Sequence, residues 1–566
     1  MSASLLTEEQ TATGYDPFTI EIIQNSLQAI CDEMFVAMRK TAMSSIIYEV
    51  LDMGTAIVDP KGNLASAGAG IPLFVAGLDK AVAFVIRKCA DQGVTVEPGD
   101  VFVTNDPYNG GVTHLNDVAF VMPVFVDGEI VAWAADIAHW NDVGGMVPGS
   151  MATTATEIFQ EGLRLPGVKI IAKSEPNEPL IEVMKINSRM PDFLEGDMWA
   201  GIAAVRVGAR RLEEIANKYG TDIFAEAIDR YLDYGERMTR KALLTLPKGR
   251  FTHSEEQDSG LVYSCIIEIR DDEFIVDVRD NPLDPGPHNM SRDASLLAAQ
   301  LLLKAVTDPG PICNGGNFRP LSFLTKKGTV FDPEEPAAQG FYYEAVLRLY
   351  DLLWRCLAEQ LPELLPSGHY ASMCATVLGG THPDTGRPYA FVEPELGGWG
   401  GSHDSDGTTA MFSGFHGVTF NCPAEINEAR NGLQVDRLEL NPDPGGEGRH
   451  RGGKGIRLDY RIRTEEGFAT CFFTRSKFPP WGLAGGNDGS PNYIEVIRKD
   501  GTVERQSAVT GLRLNRDDVV RIMTGNGGGY GDPRERPRDR IADDLKNGYL
   551  TPERAQEVYG YQTDSQ

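Results

Sequence analysis

Nowhere among the 566 residues do about 18 to 20 apolar side chains follow one another, the length a helix needs to cross a bilayer, so no membrane-spanning helix is expected. Positive charge is scarce: 53 Lys and Arg stand against 81 Asp and Glu, a net charge of −28. That balance repels nucleic-acid backbones and anionic lipid, and neither nucleic acid nor membrane is an expected partner. Cysteine is sparse too, with eight residues scattered singly. The absence of any CxxC pair argues against a zinc ribbon and a disulfide framework, and leaves reduced, mostly buried thiols. The opening MSASLLTEEQTATGYDP has neither the basic start nor the apolar stretch of a secretory signal, so residues 1–15 read as a disordered lead-in to a cytoplasmic chain. No GxSxG elbow occurs, and no cysteine carries a local nucleophile signature. The run Gly448-Arg449-His450-Arg451-Gly452-Gly453-Lys454-Gly455 imitates a phosphate loop, but Gly455 replaces the hydroxyl residue that holds Mg²⁺. It also follows a loop, not a strand. A tight turn is the better account, and no ATP site is expected in this chain.

What is present suits a large enzyme: 42% hydrophobic and 24% charged residues, in a chain long enough for about two to four domains. Apolar positions Ile20, Ile23, Leu27, Ile30, Met34 and Met38 mark one face of a helix after Asp16-Pro17. Two short strands around the Asp59–Asn63 turn follow, then a second helix along Leu78, Val82, Val85 and Cys89. Residues 198–245 read as helical up to Leu246-Pro247, a boundary. Beyond it come the strand-like SCIIEIR and FIVDVRD, a helix near 295–306, and after 380 glycine loops with strands such as LRLDY and YIEVIR. The expectation is a multidomain α+β fold, with mixed sheets and packed helices: an N-terminal metal-binding α/β domain at 16–246, a middle α+β domain at 247–380, and a glycine-rich, β-rich C-terminal domain at 381–566 closed by a helical tail.

The most informative stretch is 105–150. Two apolar arms flank Asp127-Gly128, a favoured hairpin turn. Pairing Val126 with Glu129 places Asp117 opposite Ala138, one step from His139. A one-residue bulge, expected in the first arm at Pro123, brings Asp117 opposite His139 and onto one face with it. His114, three residues before Asp117, reaches the same point. Two imidazoles and a carboxylate suit Zn²⁺, Mn²⁺ or Fe²⁺, and three protein ligands leave a position for an activated water. Glu49 is a candidate fourth ligand, and Asp106 and Asp142 are candidates for proton acceptor or for supporting the ligands.

At these residues the sequence resembles the hydantoinase B family, which includes N-methylhydantoinase B subunits, the matching half of 5-oxoprolinases, and subunits of acetone and acetophenone carboxylases. The resemblance covers about residues 16–560. It is carried by DPFTIEIIQNSLQAICDEM, GNLASAG, PGDVFVTNDPYNGGVTHLNDV, AHWNDVGGMVPGS, EIFQEGLRLP, NSRMPDFLEGD, the NGGNFRPL segment, RHRGGKG and GGGYGDP. It implies a divalent metal on His114, Asp117 and His139, with Glu49 as the matching glutamate. It also implies an ATP- and Mg-binding partner, the hydantoinase A-type subunit, in a dimer of heterodimers. That partner would phosphorylate the carbonyl oxygen of a cyclic amide, such as hydantoin, 5-oxoproline or a lactam, for ring opening at the metal. The alternatives are a subunit of an ATP-dependent ketone carboxylase and a catalytically silent, metal-stabilised scaffold. Two departures from the family pattern are Val50, where a basic residue is frequent, and Asn441–Gly448 in place of a DSGGAG-type loop.

Overall fold

The computed structural model describes residues 16–310, 313–417 and 419–562; the lead-in expected at 1–15 lies outside them. Helix α1 (Pro17–Thr41) begins where Asp16 accepts the amides of Phe18 and Thr19, and Pro17 takes a first-turn position where its missing N–H costs nothing. Its buried stripe contains Ile20, Ile23, Leu27, Ile30, Met34 and Met38, the positions read from the spacing. After the single turn α2 (Ser45–Tyr48) come β1 (Met53–Val58) and β2 (Leu64–Gly70). Asp59 fixes their connection by accepting the amides of Lys61 and Asn63. Then follow α3 (Pro72–Gln92), β3 (Val101–Thr104), the long hairpin β4 (Asp117–Val126) and β5 (Glu129–His139), β6 (Pro166–Ala172) and β7 (Glu175–Pro176).

These strands form one antiparallel sheet in the order β2-β1-β5-β4-β3-β6-β7. Thr55 donates to the Cys31 carbonyl of α1, whereas neighbouring Gly54 lies against Phe74 and Val75 of α3. Alternation along β1 therefore puts α1 on one face and α3 on the other. After α4 (Glu178–Ile186), helices α5 (Pro191–Tyr219) and α6 (Thr221–Leu243) divide the expected helical stretch at Gly220, which has φ 90°. Gly201 of α5 meets Phe120 and Asp136 on the α1 side of the sheet, so that face is covered by helices.

A second sheet runs β11-β10-β9-β8, from β8 (Gly249–Glu256), β9 (Val262–Ile269), β10 (Phe274–Asp277) and β11 (Leu321–Leu324). Its β10–β11 pair is parallel, joined through α7 (Arg292–Thr307). Helix α8 (Tyr342–Ala358) packs on α7, β8 and β9 and is buried at every position except Arg355.

The remainder is β-rich. One sheet orders Pro388–Glu393, Thr376–Thr381, Glu466–Phe472 and Ala508–Asn515; the other orders Leu433–Leu440, Ile456–Ile462, Val519–Met523, Tyr493–Ile497 and Val503–Gln506. Glycine loops connect them, and the helices Arg538–Lys546 and Pro552–Tyr559 form the expected tail. The GRHRGGKG run leads into a strand, with the amides of Gly452 and Gly453 committed to Gly446 and Trp399 carbonyls. The expected tight turn is not formed: the run carries a bend at Gly448-Arg449, and its glycines lie close against the backbone carbonyls of Thr408, Thr524 and Gly527. All eight cysteines are free, and all but Cys313 are buried. Among the described residues, no helix is long and apolar enough to cross a membrane.

Candidate metal centre

The hairpin turn at Asp127-Gly128 has both residues at positive φ, 52° and 86°, the twist that two-residue hairpins favour. Val126 pairs with Glu129 and Phe125 with Ile130, after which Val124 pairs with Ala132, so Val131 is the extra residue of a bulge. Beyond it Pro123 faces Trp133 and Asp117 faces His139. The bulge thus has the expected effect but lies in β5, not at Pro123. Proline is tolerated there because β3 pairs with β4 only from Ala119 to Val121, leaving Pro123 past its end.

His114 joins the pair through a turn in which the Asp117 amide donates to the His114 carbonyl. Nε2 of His114 lies 3.1 Å from Oδ1 of Asp117 and 3.3 Å from Nδ1 of His139, which is itself 3.2 Å from the same Oδ1. Three donor atoms converge, all on buried residues. The other ring nitrogen of His114 sits 2.9 Å from the Gly340 carbonyl, which can only accept, so Nδ1 carries the proton and Nε2 presents a lone pair in the neutral ring. Oδ2 of Asp117 accepts from Thr113 and, at 3.1 Å, from Tyr342, leaving Oδ1 to the imidazoles. Among the described residues, Nε2 of His139 has no partner.

Electrostatics match this arrangement. Burial opposes a charged Asp117, but His114 and His139 outweigh it and hold the carboxyl well below its ordinary range. Burial likewise opposes the His114 cation, yet Asp117 and the Gly340 carbonyl raise that imidazole. Tyr342 is pushed far up by burial and by the Asp117 charge, so it stays a hydroxyl donor.

Glu49 does not join the three ligand residues, and Asp52 stands nearest them instead. Helix α2 lasts one turn and Leu51 takes φ 65°, which turns Asp52 towards the sheet: its carbonyl accepts the His139 amide at 3.0 Å and its carboxylate lies 4.0 Å from His139 Nδ1. Burial lifts Asp52 to about 6 against the opposing pull of His139. The charge of Glu49 is felt instead by Tyr48 and Cys422. Asp106 is also elsewhere, clasped by Nε and Nη2 of Arg164 and accepting the Tyr108 amide. Asp142 accepts the amides of Gly144, Gly149 and Arg189 and the Arg189 guanidinium, stapling its own loop. Neither lines the cavity; these carboxylates are consumed by structural bonds.

A cavity of about 20 Å³ adjoins the triangle, lined by Asp52, His114, Asp117, His139, Tyr342 and Tyr343 with apolar neighbours including Phe74, Met151 and Met373. That is room for one water-sized occupant. Tyr342 lies 225 residues from Asp117, and no local signal in the sequence marked it. Asp52, by contrast, stands three residues past Glu49, and a polar residue flanking a buried strand was a readable hint.

A bulged hairpin, a buried His-Asp-His triangle, a tautomer-fixing carbonyl and a small cavity thus form one linked unit. Among known proteins, the B component of a putative D-/L-hydantoinase of Pseudomonas sp. (strain NS671) is 28% identical, across 97% of this chain and 96% of the relative. The crystal structure of an ATP-dependent caprolactamase from Pseudomonas jessenii shares the fold with a TM-score of 0.90 at 27% identity, over 98% of this chain and 97% of that one. A nucleotide-free acetone carboxylase structure has a TM-score of 0.88 over 96% of this chain and 79% of that one, at 20% identity, a likeness of fold. Residues 16–533 match the family described as Hydantoinase B/oxoprolinase, and the chain belongs to that family.

Proposed function

We propose that this chain is the metal-bearing subunit of an ATP-dependent, two-component enzyme that opens a cyclic amide: a hydantoin, 5-oxoproline or lactam ring. The observation that carries the reading is the buried triangle of His114, Asp117 and His139, in a chain whose relatives include a hydantoinase component and an ATP-dependent caprolactamase. The triangle fits a divalent ion. Its facing lone pairs leave too few hydrogens to satisfy three converging donor atoms, and the mix of imidazole and carboxylate suits Zn²⁺, Mn²⁺ or Fe²⁺. Such an ion supplies Lewis acidity and lowers the pKa of a nucleophilic water.

The chain's own residues do the rest. Gly340 fixes the His114 tautomer, while Thr113 and Tyr342 orient Asp117. Asp52, beside His139 on the cavity wall, takes the proton-acceptor role in place of Asp106 and Asp142. A ring substrate exceeds the enclosed space, so the walls at Met151 and Met373 must give way as it enters. An unstrained amide is a poor electrophile, and phosphorylation of its oxygen by a hydantoinase A-type partner that binds ATP and Mg makes it a competent one. The reading places a dimer of heterodimers in the cytoplasm, where ATP is available.

The test is ATP turnover by the co-purified complex with hydantoin, 5-oxoproline or caprolactam, against acetone or acetophenone plus bicarbonate. Stimulation by a ring amide is expected. Stimulation only by ketone with bicarbonate rejects the hydrolase in favour of the carboxylase, and turnover unaffected by His139→Ala would leave a silent scaffold. Metal analysis with and without His114→Ala identifies the ion and its ligands.

A further inference from the structure

The tail helices Arg538–Lys546 and Pro552–Tyr559 close over the loop around 442–454 and enclose a second cavity, of about 180 Å³. Its lining includes Arg451, Lys454, Thr551 and Arg554, with Glu447 and Asp544 as its acids. Every carboxylate oxygen of those acids is committed. Glu447 gives Oε1 to Arg554 and Oε2 to Asn487, while Asp544 gives Oδ1 to Arg451 and Oδ2 to Arg536.

The donors, in contrast, are in surplus. Lys454 Nζ spends one hydrogen on the Asp443 carbonyl at 2.9 Å, and the described residues give this largely buried ammonium no ion-pair partner. Arg451 sits over the Tyr549 ring, 4.0 Å from its centroid, and among the described residues uses Nε and Nη1 but not Nη2 on protein acceptors. A chamber with spare cationic donors, whose two acids are already bonded, is complementary to an acceptor-rich anion.

We propose that this chamber binds a small tetrahedral oxyanion of the phosphate class, held by Lys454 and Arg451. A phosphate brings up to two charges and four acceptor oxygens to these two cations, where a carboxylate brings one charge and two oxygens. The site is separate from the His-Asp-His centre and uses the RHRGGKG run through its side chains, not as a nucleotide loop.

Calorimetric titration of the full-length chain with inorganic phosphate at low ionic strength tests it. Saturable binding is expected, displaced by sulfate and not by acetate, and weakened at least about tenfold by Lys454→Met through loss of one charge-assisted contact. Lys499→Met, which alters an exposed lysine paired with Asp517, leaves binding unchanged. Should Lys454→Met fail to fold, the wild-type chain answers: phosphate slows acetylation of Lys454, read by peptide mass spectrometry, and not that of Lys499. Absence of saturable binding, equal binding by Lys454→Met, equal displacement by acetate, or equal acetylation of both lysines with and without phosphate each overturns the proposal.

Discussion

Glu161 and His114 are tied through a single residue: Glu161 accepts the amide of Gly340 at 2.6 Å, and the carbonyl of Gly340 accepts from His114 at 2.9 Å. Glu161 also takes the Gln339 amide, so its buried carboxylate clamps the turn that fixes the imidazole. A Cβ at Gly340 would come within 2.8 Å of Glu161 Oε1, so a side chain there would displace the carboxylate from this clamp. Glu161→Ala is expected to weaken metal binding about 10- to 100-fold, the usual effect of removing support behind a ligand. Glu161→Gln, which keeps one acceptor oxygen, recovers part of it. Chelator competition on the folded variants measures this, and unchanged affinity would mean that packing alone holds the ring.

Asp52 and Glu49 make opposite predictions. Asp52 lines the cavity and Glu49 does not join the ligand group. Asp52→Asn keeps the shape, removes a proton acceptor and is expected to lower kcat by about 10²- to 10⁴-fold. Glu49→Gln is expected to change kcat by less than about tenfold. A larger loss in Glu49→Gln than in Asp52→Asn would return Glu49 to the site.

The bulge gives a third test. Deleting Val124 from β4, with the bulge at Val131 kept, moves Asp117 opposite Ala138, out of step with His139. Metal stoichiometry in the purified protein is expected to fall towards zero. Retained metal in a folded deletion variant would show that the ladder slips elsewhere to restore the pair.

Much of this was legible in the residues because the signals were local. The 3–4 spacing from Ile20 to Met38 is α1, Asp127-Gly128 is the turn, and His114 lies one chain turn from Asp117. What escaped was set by conformations that no side-chain pattern announces. The left-handed Leu51 brings Asp52 beside His139, and the bulge falls at Val131 while Pro123, past the end of β3, needs none. Asp106 and Asp142 are suitable acids by type, but Arg164 and Arg189 claim them, and those partners come from later loops. Tyr342 and Gly340 reach the site only through tertiary packing of α8 and the turn before it.

Stability should depend on pH with a maximum on the acid side of neutral. Burial lifts Glu344 and Glu393 to about 7 from an ordinary 4.5, so between those values the folded chain binds more protons than the unfolded one. Stability from these groups therefore rises as pH falls through that window. Glu255 and Asp351 act the other way: burial raises them, but Arg348 and Arg475 outweigh it and hold both below the ordinary range. Their contribution is present above the unfolded carboxyl pKa and is lost as pH falls below about 4. Tm measured from pH 3.5 to 8 is expected to peak at about pH 5 to 6, with Glu393→Gln flattening the alkaline limb. A Tm that rises steadily towards pH 8 would contradict the burial of these acids.

Arg475 joins three parts of the fold. It is 2% exposed, bonds Glu255 of β8 at 3.0 Å and Asp351 of α8, and so ties the C-terminal β region to the middle sheet and the central helix. Arg348 shares both carboxylates, bonding Asp351 at 3.1 Å, and Arg355 reaches Glu255. Arg475→Met fills similar volume but leaves two buried carboxylates with one cation fewer, a cost of about 3–5 kcal/mol by the usual penalty for breaking a buried pair. Urea unfolding of the variant measures it, and Asp351→Asn in the same background should restore part of the loss, because the unpaired charge goes with it. If Arg475→Met costs less than about 1 kcal/mol, Arg348 and Arg355 suffice to balance both acids, since an uncompensated buried charge could not be so cheap.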